Sequence, residues 1–264
     1  MKFDAHVEAL YQELPFAERF AAAKKDGFKY IEIWDWDNKD LDELTRLCAE
    51  NDLQIAAMSG DKLYDMCNPE DDQKYIDEVI ESIRVAAKIG AQSVVIHSNE
   101  LTPAGPVKNP LTELSDTVKM CAMFRKLRAL APYAEEYDVQ LVVEPLNIVT
   151  DHMGNYLTST QQTAELLEAV NCPNIKMLYD VYHMYLNEGK LCETLDKYVS
   201  YIGHIHIADA PGRHEPGTGA INYANLFRHL DKLGYDGTVG CELFAIKDTA
   251  TAIAAVKNAA DDLF

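Results

Sequence analysis

Short apolar runs alternate with longer amphipathic segments along the whole chain. The apolar runs are five to seven residues long and rich in Val, Ile and Tyr. Runs of this length and composition are typical of parallel strands that are buried on both faces. The predicted strands cover residues 2–7, 29–34, 53–58, 93–97, 139–144, 175–180, 201–207 and 238–243.

The amphipathic segments between the apolar runs predict helices, because their apolar residues recur on one side at helical spacing. The clearest of them cover residues 17–27, 77–90, 163–170 and 248–264. Gly27 is suited to end the first of these helices in a left-handed conformation. A longer helical segment, 111–137, contains Pro132, which we expect to kink the helix or restart it.

Eight strands and about eight helices in strict alternation predict an α/β fold, a (β/α)8 TIM barrel that forms one domain over residues 1–264. Such barrels typically have about 250 residues, so this length leaves no room for a second domain. A doubly wound open sheet is the rival architecture. It would normally carry a Gly-rich turn after its first strand, and residues 6–16 contain no glycine.

The composition narrows the class of partner. Lys and Arg number 24 and Asp and Glu number 43, which gives a formal net charge of −19. A surface this acidic repels phosphate backbones and anionic lipids, so we expect neither a nucleic acid nor a membrane as partner. The six cysteines are scattered without a C-x-x-C pair, and the N-terminus lacks the apolar core of a signal peptide. These features predict reduced thiols and a cytoplasmic location.

Acidic residues and a histidine stand at the ends of four consecutive predicted strands. They are Glu144, Asp180, His206 and Glu242, which are 36, 26 and 36 residues apart. Each alone could be a helix cap or a structural histidine. As a set they meet at one end of a barrel, where the loops that follow the strands converge. Three carboxylates so close together need a positive charge nearby. Oxygen ligands combined with one nitrogen ligand suit Mn²⁺, Mg²⁺ or Co²⁺.

Longer motifs around these residues resemble a known family. The segments VVEPLN, LYDVYH, GHIHIADAPGRHEPGTGAINY and GYDGTVGCE, together with ELPFAERFAAAKKDGF near the N-terminus, resemble hydroxypyruvate isomerases. That family belongs to the xylose isomerase-like barrels, with the D-tagatose 3-epimerase type of ketose epimerase and endonuclease IV. The resemblance implies that Glu144, Asp180, His206 and Glu242 bind one divalent metal ion. It also implies that Glu144 and Glu242 carry the proton transfer.

Two positions depart from one family or the other. Hydroxypyruvate isomerases usually have Gln where this chain has His206, whereas the 3-epimerases usually have His. The epimerases in turn carry a substrate-binding Glu six residues after the first metal-binding Glu, where this chain has Thr150. The sequence therefore shares one marker with each family, and the motifs as a whole favour the hydroxypyruvate isomerases.

The chemistry of the residues agrees with that resemblance. Moving a carbonyl along a hydroxy-carbonyl compound requires one carbon-bound proton to be removed and another to be delivered, through an enediolate. A divalent cation stabilises the negative charge, and two carboxylates can transfer the protons. We therefore predict a metal-dependent isomerase acting on hydroxypyruvate, which would yield tartronate semialdehyde, or on a similar 2-oxo acid. A ketose 3-epimerase acting on free sugars is the alternative.

Further residues are candidates for contacts with the substrate. By the same resemblance His183 contacts a substrate oxygen, and Arg213 is the main cation expected near the mouth. His97 ends a strand and could face the substrate or be structural. His204 should lie one layer deeper than His206 and pack there. The proline-rich segment 98–113 is expected to form a semi-rigid lid or a plain surface connection.

Two other classes of function fit the sequence less well. An enzyme like endonuclease IV would need a three-zinc site with more histidines and a basic face for DNA, and the chain has 8 histidines and a charge of −19. A non-catalytic sugar- or metal-binding barrel would keep the fold while losing one glutamate, and both glutamates are present. Similar barrels commonly form dimers or tetramers, so the resemblance also implies a homo-oligomer.

Overall fold

Eight parallel strands close into a barrel in the order in which they follow one another along the chain. The computed structural model describes all 264 residues. Each strand pairs with the next, and the last pairs with the first to close the barrel. The strands are β1 (Lys2–His6), β2 (Tyr30–Ile33), β3 (Gln54–Ser59), β4 (Ser93–His97), β5 (Gln140–Glu144), β6 (Ile175–Asp180), β7 (Ile202–His206) and β8 (Thr238–Cys241).

Helices connect the strands on the outside of the barrel and confirm the predicted fold class. They are α1 (Phe16–Lys25), α2 (Leu41–Glu50), α3 (Asp72–Ile89), α4 (Asp116–Glu136), α5 (Thr160–Val170), α6 (Val181–Asn187), α7 (Leu191–Tyr198), α8 (Tyr223–Lys232) and α9 (Thr249–Ala260). Short 3₁₀ turns cover Pro69–Asp71, Val199–Tyr201 and Asp261–Leu263. None of the helices combines the length and the apolar character needed to cross a lipid bilayer.

The predicted strands agree with the structure to within two residues at each end, and β4 and β6 coincide with their predictions. Between β6 and β7 the chain forms two helices, so there are nine helices where about eight were expected. The break lies at Gly189, which has φ +78° and ends the first helix in a conformation that favours glycine. Glu242 follows β8 directly instead of lying inside it.

Helix α4 corrects the prediction for residues 111–137. It begins only at Asp116, where the hydroxyl of Ser115 accepts a hydrogen bond from the Val118 amide at 3.4 Å. It then runs without interruption through Pro132, which neither restarts nor ends it. The side of the helix that carries Pro132 is exposed, so solvent can satisfy the carbonyl that the proline ring leaves without a partner.

Replacing Pro132 by alanine should therefore stabilise the protein. Proline costs about 3 kcal/mol relative to alanine in a helix interior, and the greater freedom of the unfolded alanine chain returns up to about 1 kcal/mol. We expect the free energy of unfolding to rise by about 2 kcal/mol, measured by chemical denaturation. Pro69→Ala is the control, because that proline begins a 3₁₀ turn and should give no such gain. A loss of stability in Pro132→Ala would contradict the expectation.

The interior of the barrel is divided into an apolar half and a polar half. The main apolar core lies between the barrel and the helices. A separate small cluster of buried apolar residues lies on β3 to β6; its members are Ala57, Val95, Val142 and Leu178. On β7, β1 and β2 the buried side chains that alternate with the apolar core residues and face the barrel interior are polar instead; they are Asp4, His6, Glu32, His204 and His206. Gly240 on β8 makes room for this polar half, since a Cβ there would lie 2.8 Å from Glu32 Oε2.

Candidate functional site

A cavity of about 450 Å³ opens at the carboxyl ends of the strands. Its size is within the usual range for small-molecule sites. All of the predicted site residues except Asp180 line it: His97, Glu144, His183, His206, Arg213 and Glu242. Strand β6 ends at Asp180, immediately beside this wall. The barrel thus brings the four strand ends that carry Glu144, Asp180, His206 and Glu242 to one mouth, as the sequence predicts, together with His97 at the end of β4.

Three of the four predicted metal ligands form a compact buried group. One polar atom each from Glu144, Asp180 and His206 lie within 4.8 Å of one another. Asp180 Oδ1 caps helix α6 by accepting hydrogen bonds from the amides of Tyr182 at 2.7 Å and His183 at 3.1 Å. Its other oxygen, Oδ2, remains available to the group. The cap and the candidate ligand are therefore the two oxygens of one side chain.

Several buried polar atoms around this group have no hydrogen-bond partner. They are Glu144 Oε1, His206 Nδ1 and His183 Nε2. Buried polar atoms in proteins are nearly always paired, so unpaired atoms that face one another call for an explanation such as an ion. An anionic oxygen and an imidazole nitrogen are also suitable donors for a divalent cation. The residues present therefore fit a metal ion on the evidence of their own unsatisfied atoms.

Glu242 lies next to this group and is held by two donors. Its Oε1 accepts a hydrogen bond from the Trp34 indole at 2.9 Å, and its Oε2 accepts one from Arg213 Nη2 at 2.6 Å. Oε2 also lies 3.3 Å from His206 Nδ1. Burial alone would raise the pKa of Glu242, but Arg213 and His206 outweigh it and hold that pKa well below its usual range.

Asp180 shows the opposite effect. Burial raises the pKa of this carboxyl to about 7, and the nearby Glu144 and Glu242 carboxylates add to the increase. Arg213 and His206 oppose the increase without cancelling it. Asp180 resists ionisation because it is buried and because the positive charge around it does not balance the nearby Glu144 and Glu242 carboxylates. A bound cation would supply that charge.

Arg213 is already partly engaged. Its backbone has φ +57°, and its amide donates to the Asp209 carbonyl at 2.8 Å in a tight turn. The guanidinium lies over the Tyr182 ring, 5.5 Å from the centroid, and Nη2 pairs with Glu242. Arg213 Nε is buried without a partner. The residue predicted to bind substrate thus also anchors Glu242, and Nε is a buried donor that it still has free.

His97 connects Glu144 to a carboxylate that the sequence did not single out. His97 Nδ1 lies 2.9 Å from Asp61 Oδ1, and Nε2 lies 3.1 Å from Glu144 Oε2. Burial would lower the pKa of His97, but Asp61 and Glu144 raise it to about 10. A protonated ring donates from both nitrogens. His97 therefore fixes one oxygen of Glu144 and leaves Oε1 toward the cavity.

His183 is oriented by Asn147. The Asn147 carbonyl oxygen accepts hydrogen bonds from the amides of Val149 at 3.2 Å and Thr150 at 3.0 Å, so its amide nitrogen points at His183 Nδ1, 2.6 Å away. Burial lowers the pKa of His183 well below its ordinary value, which favours the neutral ring. With Nδ1 accepting, the proton of that ring is on Nε2, which faces the cavity. His183 can therefore donate to a substrate oxygen.

The segment 98–113 forms one wall of the cavity. Its lining residues are Asn99, Glu100, Leu101, Thr102, Pro103 and Gly105. The segment folds back on itself through an antiparallel bridge between Leu101 and Val107. It is tied to the next loop by a 2.8 Å hydrogen bond between His152 and the Gly105 carbonyl. Thr150 lies outside the cavity lining and bonds within its own loop to Asn147 and Asp151.

Two acidic residues of the site were not foreseen. Asp61 lies in the loop after β3, and Glu32 lies inside β2, where both of its oxygens are 3.0 Å from His206 Nε2. His204 is buried one layer deeper than His206, as expected, and contacts Glu32 Oε2 at 3.2 Å. Glu32 interrupts an otherwise apolar strand, and that interruption was the one signal that could have revealed it.

The sequence and the fold match known proteins over nearly the whole chain. The family described as xylose isomerase-like TIM barrel matches residues 20–262. Hydroxypyruvate isomerase from Escherichia coli is 34% identical over 250 residues, covering 92% of this chain and 93% of that protein. A 2-oxo-tetronate isomerase from Haemophilus influenzae is 29% identical and covers 96% of each chain. A crystal structure described as an AP endonuclease, family 2, from Brucella melitensis has a TM-score of 0.87 at 25% identity and 96% coverage of each chain.

Proposed function

The chain belongs to the hydroxypyruvate isomerase family of xylose isomerase-like TIM barrels and is an isomerase, and from this we propose that it shifts the carbonyl group along a small hydroxy 2-oxo acid such as hydroxypyruvate. One observation carries the proposal. Two buried glutamates, Glu144 and Glu242, approach His206 Nδ1 to 3.9 Å and 3.3 Å at the floor of a cavity sized for a small molecule. A pair of carboxylates in one cavity is what the removal and return of a carbon-bound proton require.

The ligands of the proposed cation are Glu144, Asp180, His206 and Glu242. A divalent ion at this position, with Mn²⁺, Mg²⁺ or Co²⁺ preferred by the donor set, would stabilise negative charge on the substrate oxygens as a Lewis acid. Binding would also satisfy the unpaired Glu144 Oε1 and His206 Nδ1. Glu242 would reach the ion from its place beside His206, where Arg213 and Trp34 hold it.

The two glutamates would divide the proton transfer. One carboxylate would take the proton from the hydroxyl-bearing carbon next to the carbonyl, and the other would take the proton of that hydroxyl and deliver it to the former carbonyl carbon. The first carboxylate would then give its proton to the former carbonyl oxygen, so that both glutamates end ionised. Glu144 stands at the end of β5 and Glu242 after β8, so they approach the cavity from well-separated parts of the barrel. Each transfer contributes a factor of about 10²–10⁴ to the rate.

The substrate would be bound by the N–H groups of the site that have no hydrogen-bond partner within the protein. Arg213 Nε and His183 Nε2 are buried and without partners, so each can bind a substrate oxygen. The relative described as an AP endonuclease shares the barrel, but a net charge of −19 and a mouth lined by carboxylates disfavour a phosphate backbone as ligand. A small acid that pairs with Arg213 fits the cavity better.

Hydrogen exchange tests the proposal directly. The protein is first stripped of metal by a chelator and then reconstituted with Mn²⁺, Mg²⁺ or Co²⁺. We expect the reconstituted protein to turn over hydroxypyruvate and to wash deuterium from D₂O into carbon-bound positions. Verified metal removal should abolish both and lower Tm, because the ion binds only the folded state. Full activity with metal verified absent would contradict the metal-dependent mechanism, and a binding protein would exchange no carbon-bound protons.

A ketose 3-epimerase is the second candidate, and His206 is the observation that favours it, because the sequence motifs associate histidine at this position with the epimerases. The same turnover assay separates the two candidates when it is run on several substrates. Besides hydroxypyruvate, these substrates include four-carbon 2-oxo acids, free ketopentoses and free ketohexoses. Robust turnover of a ketose with none of the acids would assign the protein to the epimerases.

A further inference from the structure

We propose that Glu32 is a positioning residue that keeps a proton on His206 Nε2 and thereby leaves His206 Nδ1 as the ligand atom. The inference rests on the proposed metal site and concerns a residue outside the predicted ligand set. A metal-binding histidine generally needs a partner for its other ring nitrogen, which fixes the tautomer and the direction of the ring. Glu32 supplies that partner from β2, within the same polar half of the barrel interior.

The contact between Glu32 and His206 is short and symmetric. Glu32 Oε1 and Oε2 each lie 3.0 Å from His206 Nε2, and both side chains are buried. β2 and β7 are not neighbours in the barrel, since β1 and β8 lie between them. The contact therefore crosses the interior, and no other hydrogen-bonding group approaches Nε2 as closely.

The chemistry of the two groups determines which end of the ring is free. An ionised carboxylate has no proton to donate, so the imidazole nitrogen that faces it must carry one. Nδ1 is then the nitrogen that can present a lone pair, and it faces Glu144, Asp180 and Glu242 without a hydrogen-bond partner. Without Glu32, the ring could place its proton on Nδ1 and point a donor at the metal site instead.

Glu32 is itself held in place. Its Oε2 lies 3.2 Å from His204 Nε2, and His204 Nδ1 lies 2.6 Å from the hydroxyl of Thr238. The missing side chain of Gly240 leaves the space that Glu32 Oε2 occupies. A carboxylate anchored at one oxygen and shielded from water has a fixed direction. This chain of contacts, from Thr238 to His206, is therefore rigid enough to orient a ligand.

Metal affinity of stripped protein measures this role without reference to turnover. Glu32→Met keeps the length of the side chain and removes both acceptors. We expect it to raise the Kd for Mn²⁺ by about 10–100-fold, measured by calorimetric titration of the folded protein. Glu32→Gln retains one carbonyl acceptor for Nε2 and should raise the Kd less. Glu188→Gln is the matched control, since that carboxylate bonds to Thr160 and does not touch the site.

A second readout covers the case in which Glu32→Met does not fold. In the wild-type protein saturated with Mg²⁺, nitrogen–proton correlation spectra of the His206 ring should show the proton on Nε2. A proton on Nδ1, or an unchanged Mn²⁺ Kd in folded Glu32→Met, would overturn the inference. If the wild type binds no Mn²⁺ at all, the proposed metal site fails first and this role fails with it, so the two failures are distinguishable.

Discussion

Replacing Glu242 by glutamine is expected to lower kcat by about 10³-fold or more while much of the Mn²⁺ binding remains. The amide keeps an oxygen that can face the cation and accept from Arg213, but it cannot take up a proton at neutral pH. The loss lies within the upper part of the range for a missing general base. The measurement is kcat for hydroxypyruvate at saturating Mn²⁺, with the Mn²⁺ Kd determined on the same preparation.

Asp180→Ala separates proton transfer from metal binding. Its first effect should be a weaker affinity for the cation, so an excess of Mn²⁺ should restore part of its activity. Glu188→Gln repeats the Glu-to-Gln change outside the cavity and should leave kcat unaltered. Near-normal turnover by Glu242→Gln would show that the mechanism with two carboxylates is wrong for this protein.

Arg213→Lys is expected to reduce kcat/KM for hydroxypyruvate by about 10–100-fold. A charge-assisted hydrogen bond to a buried anion contributes about 1.5–3 kcal/mol, and about 1.4 kcal/mol corresponds to a factor of ten. The guanidinium holds Glu242 with Nη2 and has Nε to spare, whereas a lysine ammonium cannot reproduce that planar pair of donors. The substrate carboxylate and Glu242 would then compete for one point charge.

The comparison between an acid and a neutral ketose makes this expectation specific. A ketose brings no carboxylate, so the same substitution should cost it less and show little dependence on salt. Arg125→Lys is the control, because Arg125 pairs with Asp72 at the surface. Equal losses on both substrates would mean that Arg213 acts only by holding Glu242.

Much of the fold follows from local sequence pattern. The strand at 93–97 is short, apolar and rich in β-branched residues, the strand at 175–180 is a short and mostly apolar run, and both predictions match the structure to the residue. The errors fall where local signals compete. Proline normally breaks helices, but Pro132 lies on the exposed side of α4, and the helix continues through it. Between β6 and β7 the pattern predicts one helix, and Gly189 divides that segment into two.

The candidate site divides in the same way. The sequence predicts that Glu144, Asp180 and His206 lie together because each ends a strand, and parallel strands of a barrel end at the same mouth. Glu32 and Asp61 were missed for a physical reason. Their partners, His206 and His97, lie 174 and 36 residues away in sequence. Closure of the barrel brings Glu32 to His206, and the pairing of β3 with β4 brings Asp61 to His97. No local pattern encodes a contact across the interior.

The polar half of the barrel has a consequence for engineering. Asp4 is fully buried and neither of its oxygens has a partner, and one such group typically costs about 1–3 kcal/mol of a total stability of roughly 5–15 kcal/mol. A screen that selects on melting temperature alone would therefore favour apolar replacements around Asp4 and His204. Such variants would have a higher melting temperature, but they would lose the contacts through Glu32 and His204 that hold His206 in place. Thermostable catalysts should instead be sought on the outer helices, where stability and chemistry are not in conflict.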